Sequence, residues 1–148
     1  MSTRSQITVK MEGCDWTDSV TLYHHCDGYP EHIIPCIVAG KRLAGNGYEA
    51  GRTGKVAAFL CAAHPGGFEP ESTNDLHPDI EYHYTLYLVN VRGGSMAERP
   101  TWEVEIRQPK NSFGAKEQPT IDDMKVTTKR VDIEKLGAKY EKKRKATK

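Results

Sequence analysis

Glu81-Tyr82-His83-Tyr84-Thr85-Leu86-Tyr87-Leu88-Val89-Asn90-Val91 is the stretch on which the fold turns. Successive side chains of an extended chain point to opposite faces. Tyr82, Tyr84, Leu86 and Leu88 therefore share one face, and His83, Thr85, Tyr87 and Val89 share the other. Bulky groups on both faces predict a strand near the centre of a sheet. Downstream, Trp102, Val104 and Ile106 alternate with Glu103, Glu105 and Arg107, the pattern of a strand with one wet face, antiparallel to the first. Lys125 to Val131 predicts an edge strand, with Lys and Arg guarding its open side.

Upstream, Ile7-Thr8-Val9-Lys10-Met11 and Ser19-Val20-Thr21-Leu22-Tyr23 each alternate, which predicts an N-terminal β-hairpin. Asp27-Gly28 should break the second strand, with Gly28 supplying a positive φ. Pro35 suits a first helical turn, and Ile34, Ile37 and Val38 follow helical spacing, so a helix is expected over 35–44. A second is expected over 54–64, capped by Thr53 and ended by Pro65-Gly66-Gly67. Residues 65–79 and 108–120 read as polar loops. Ile133, Leu136 and Tyr140 also sit at helical spacing, with Gly137 against it.

The resulting expectation is an α+β fold: a mostly antiparallel sheet of four to five strands with two helices on one face. Residues 1–131 would form one domain, and 132–148 a basic C-terminal helix or tail, partly disordered. The chain of 148 residues suits a single domain that holds its core without staples. An apolar fraction of 37% and a mean hydropathy of −0.65 point to long polar segments. No run approaches the roughly 20 apolar residues of a membrane helix, and the N-terminus lacks a secretory h-region. A cytoplasmic protein with reduced Cys14, Cys26, Cys36 and Cys61 is expected.

Chemistry concentrates at Tyr23-His24-His25-Cys26-Asp27-Gly28-Tyr29-Pro30. A carboxylate beside an imidazole fixes its tautomer and raises its pKa. His25 with Asp27 would serve as a general base, a phosphate contact or part of a metal ligand set. The competing reading is structural: Asp27 and Gly28 make a turn, and Tyr29 packs. The segment also resembles a family of small bacterial and bacteriophage proteins of uncharacterised function. These begin Met-x-Thr-Arg, continue as a strand, and then carry a Tyr-Arg-His-x-Asp-Gly-Tyr-Pro-like motif. The matching pieces are Met1-Ser2-Thr3-Arg4, then Tyr23 to Glu31, then Asp79-Ile80-Glu81-Tyr82-His83-Tyr84. The chain departs from that pattern at His24, where Arg is usual, and at Cys26, where an aromatic residue or Ser is usual. The resemblance implies a phage or mobile-element origin and a shared surface built from Arg4, His25, Asp27 and Tyr29, beside Tyr23.

Two further readings are weaker. Cys61 with His64, and His24 with Cys26, offer two ligand pairs, but their spacing matches no zinc finger, so neither metal nor cofactor is expected. Gly51-Arg52-Thr53-Gly54-Lys55-Val56 fails as a phosphate loop, since Glu49 and Val56 stand where Gly and Ser/Thr are needed. The charge is polarised: residues 124–148 carry ten basic and three acidic groups, and the rest carries eleven and seventeen. Lys142, Lys143, Arg144 and Lys145 would give at most weak, unspecific contact with nucleic acid. These features predict a small non-enzymatic binding or accessory protein, for an unknown protein or a small anionic ligand. The alternative is a hydrolase of phosphate esters or amides working through His25 and Asp27.

Overall fold

The computed structural model describes residues 3–12, 19–45, 48–89, 100–110 and 119–146. The alternating segments become strands β1 (Ser5–Met11), β2 (Val20–His24), β4 (Tyr82–Val89), β5 (Thr101–Pro109) and β6 (Met124–Asp132), joined by a short β3 (Phe68–Pro70). Three helices accompany them: α1 (Pro30–Ala44), α2 (Thr53–Ala63) and α3 (Ile133–Ala146). The sheet runs β3-β2-β1-β4-β5-β6. Every pairing is antiparallel except β1 with β4, which is parallel, Ser5 facing Tyr82 and Met11 facing Leu88.

One face of the sheet is apolar. Ile7, Val9, Leu22, Tyr84, Leu86, Leu88, Trp102, Val104 and Ile106 are buried there against Ile33, Ile34 and Ile37 of α1, Val56 and Leu60 of α2, and Ile133 and Leu136 of α3. Trp102 places its indole N–H on the Ala50 carbonyl at 2.8 Å, so its polar atom is satisfied inside the core. The opposite face is buried but polar. Thr8 bonds Thr21 and His83, each at 3.0 Å, and Thr21 donates to Asn74 at 2.7 Å. Gln6 holds the segment across this face through Asp75 and His77. Bulky groups on both sides of β4 did signal its central place.

The architecture corrects the expected one in four ways. The sheet has six strands and is mixed, because the chain leaves β2 through two helices and β3 before returning beside β1. Phe68-Glu69-Pro70 hid inside a polar loop; a strand this short, with a proline that cannot donate, survives only at an edge. A third helix joins the core. Gly137 is tolerated in α3 because α1 passes there, where a Cβ would come within 2.6 Å of Val38 Cγ2. Finally, α1 starts at Pro30, not near residue 35, so Pro35 lies inside the helix. Pro30 occupies a first-turn position where a missing N–H costs nothing. The bond lost at Pro35 is outweighed by burial of Ile33, Ile34 and Ile37. The predicted turns of the N-terminal hairpin and of the β4–β5 connection, and most of 108–120, lie outside the described residues, as does Cys14. Cys26, Cys36 and Cys61 are free thiols.

The Asp27-Gly28 turn is also built differently. Asp27 takes the positive φ, at 55°, which a short polar side chain tolerates. Gly28 is there for close approach. Its N–H donates to the Thr3 carbonyl at 2.7 Å, and its own carbonyl accepts from the Tyr84 hydroxyl at 2.7 Å. A Cβ would sit 2.7 Å from Ser5 Cβ and 2.8 Å from the Thr3 carbonyl oxygen. Gly28→Ala is therefore expected to destabilise the fold by about 1–3 kcal/mol, the usual cost of overpacking. A lowered urea midpoint at unchanged slope is the expected observation; an unaltered midpoint would show that Thr3 and Ser5 can move aside.

Candidate metal centre

Three histidines meet at the end of the sheet where β2 finishes and β3 begins. His24 is the last residue of β2, on the same face as Leu22, and is paired across the ladder with Phe68. His32 stands in the first turn of α1. His64 caps the end of α2, its N–H donating to the Leu60 carbonyl at 3.2 Å. The topology forces the meeting. The β2–α1 turn and the α2–β3 turn must lie at one end of the sheet, because β3 runs back along β2.

The packing is close. His24 is 4% exposed, while His32 and His64 are half-buried. The rings of His24 and His64 stack with centroids 5.3 Å apart, and His32 stands edge-on to His64 at 5.3 Å. Phe68 closes the apolar side against both His24 and His64. Gly67 leaves the space that the His64 ring needs, since a Cβ there would overlap it. The Nε2 atoms of His24 and His64 are 3.2 Å apart, and one ring nitrogen from each of the three histidines lies within 4.8 Å of the others.

Such a cluster repels protons. Burial first, then His32 and His64, lower the His24 pKa to about 4 against the opposing pull of the Cys26 backbone and Asp27. His64 is lowered too, by burial first and then by His32. His24 is thus neutral at physiological pH, with lone pairs available. Neutral imidazole is the form that binds transition metals, so little proton competition opposes a cation here. Around a tetrahedral zinc with Zn–N of about 2.0–2.1 Å, adjacent nitrogens stand about 3.3 Å apart. The His24–His64 edge already has that length, and His32 needs a small adjustment. Three imidazoles leave a fourth position for water, substrate or another side chain.

The other predicted site residues divide between two places. Arg4 pairs with Asp79 at 3.3 Å, and Tyr23 lies against His77 at 4.7 Å between centroids and beside His25 at 6.3 Å. His77 in turn bonds Glu71 at 2.6 Å. Arg4, Tyr23 and His25 thus belong with Glu71, His77 and Asp79. Tyr29 sits instead on the helix side, 6.4 Å from His32. His25 and Asp27 are both exposed, and among the described residues no hydrogen bond joins them.

Each of the two pairs weighed from the sequence contributes one member to this cluster. His24 and His64 come together, Cys26 and Cys61 stay outside the group, and His32 takes their place. The missing signal was positional. A histidine ending a strand, one opening the next helix and one closing the following helix share an end of the sheet only once β3 is recognised. No protein-family model, curated protein or solved structure matches the chain.

Proposed function

We propose that this chain is a small non-enzymatic binding or accessory protein whose ligand is a divalent transition-metal ion of the zinc class, held by His24, His32 and His64. One observation carries the reading: three imidazoles from three separate elements converge, two of them at the edge length of a zinc tetrahedron. An all-imidazole set favours borderline metals over magnesium or calcium, which take oxygen ligands. A phage or mobile-element setting rests on the resemblance of the Met1–Arg4 and Tyr23–Glu31 segments to small phage proteins. A hydrolase working through His25 and Asp27 has less support, because those side chains are exposed and unjoined. Lys135, Lys139, Lys142 and Lys143 line a shallow groove on α3 and would add weak, salt-dependent attraction to a polyanion.

Calorimetric titration of the metal-stripped chain with zinc tests the proposal. One zinc per chain is expected, with no heat from magnesium. His32→Ala and His64→Ala, at half-buried positions where truncation leaves the core intact, should each weaken zinc by about a hundredfold or more. Equal binding by wild type and both variants would show that the cluster is not the site.

A further inference from the structure

Cys36 lies one helical turn beyond His32 on α1, and its Sγ is 3.9 Å from His32 Nε2. Positions i and i+4 of a helix stand side by side, which is why two ligands to one metal are so often spaced this way. Around a tetrahedral zinc, with Zn–S near 2.3 Å and Zn–N near 2.0–2.1 Å, sulfur and nitrogen stand about 3.5 Å apart. The Cys36–His32 pair is a few tenths of an ångström from that edge. The thiol is half-buried, packed against the rim of the core, and free. Like Cys26 and Cys61, Cys36 stands outside the group of ligand atoms within 4.8 Å of one another, but among the described thiols it is the one with a hydrogen-bond contact to a member of that group, and its Sγ must turn from His32 toward His24 and His64 to share one ion with them.

We infer that Cys36 is the fourth ligand, completing a closed site of three imidazoles and one thiolate with His24, His32 and His64. The inference rests on the metal reading above and makes it sharper. On binding, the Cys36 thiol gives its proton to solvent and its sulfur forms the fourth bond to the cation. A site with four protein ligands has no position for a reacting water, so its work is to hold the ion and to tie β2, α1 and α2 together. A softer set of this kind favours zinc and cobalt over manganese and magnesium.

Cobalt(II) reads this directly, because a thiolate bound to it gives a near-ultraviolet charge-transfer band that imidazole does not. The full chain, kept reduced and free of oxygen, should take up one cobalt with visible bands of tetrahedral intensity and with that charge-transfer band. Cys36→Ser should still bind cobalt about ten- to a hundredfold more weakly and lack the band, while Cys61→Ser should keep it. Zinc should also slow alkylation of Cys36 in the unaltered chain, which needs no variant to fold. Cobalt bound without the band, or a band that survives Cys36→Ser, would overturn the thiolate assignment and leave the three-histidine site standing. No cobalt bound at all would overturn both.

Discussion

Acidification from pH 7 to pH 3 is expected to cost the fold about 4 kcal/mol through His83 alone, with more than half of that already lost at pH 4.5. His83 is fully buried near the start of β4, on the polar face of the sheet, with Thr8 at 3.0 Å on Nε2 and Thr85 at 3.4 Å on Nδ1. Burial, and after it the Arg107 guanidinium, lowers its pKa to about 3. The unfolded chain takes up this proton near pH 6.5, whereas the folded chain refuses it until about pH 3. Stability from His83 is therefore complete above about pH 6.5 and is lost as pH falls through that window. Urea unfolding at pH 7 and pH 4.5, in EDTA, measures the loss. His83→Gln, which keeps hydrogen-bonding atoms near Thr8 and Thr85 but does not titrate, should remove about half of the difference, because the stability from His24, whose pKa is lowered to about 4, is lost over much of the same window. An equally steep pH dependence in that variant would show that His83 is not the acid-sensitive group.

Saturating zinc is expected to stabilise the chain by about 4 kcal/mol when free metal exceeds its Kd a thousandfold. For a domain of this size, that is a rise in Tm of roughly 8–16 °C. The physical reason is that the unfolded chain scatters His24, His32 and His64 along 41 positions of sequence, counted from 24 to 64, so only the folded state presents them together. EDTA should return the midpoint to its starting value. At the same zinc concentration His32→Ala, binding about a hundredfold more weakly or worse, should keep at most about a third of the shift. A similar rise with magnesium, or an undiminished rise in the variant, would mean that the ion acts elsewhere.

Much of the sheet was legible because strands with one dry face announce themselves. The alternations at Ile7–Met11, Val20–Tyr23, Tyr82–Val89 and Trp102–Arg107 all became strands in their expected pairings, apart from β1 beside β4. That parallel contact is a property of topology, and no local pattern encodes it. β3 was illegible for a different reason: three residues ending in proline carry no period at all. The helix over Pro30–Ala44 was found but misplaced, because two prolines both fit a first turn and the apolar spacing starts only at Ile33. The histidine cluster suffered from these two misses together. His24 and His64 stood out as ligand types, yet without β3 they had no reason to meet, and His32 fell before the helix expected over 35–44.

The parallel pairing of β1 with β4 has a consequence for how the chain is made. β1 ends at Met11, and its partner starts only at Tyr82 and ends at Val89. Until then β1 has β2 on one side and an open ladder on the other, the kind of edge on which chains aggregate. A nascent chain must hold the hairpin, both helices and β3 in waiting while the ribosome adds the central strand, at about 5–20 residues per second. Closure across more than seventy residues of sequence carries the loop entropy of a high contact order, so β1–β4 docking is a natural slow step of refolding. The buried Thr8–His83 hydrogen bond, which spans that same junction at the sheet's centre, cannot form before it.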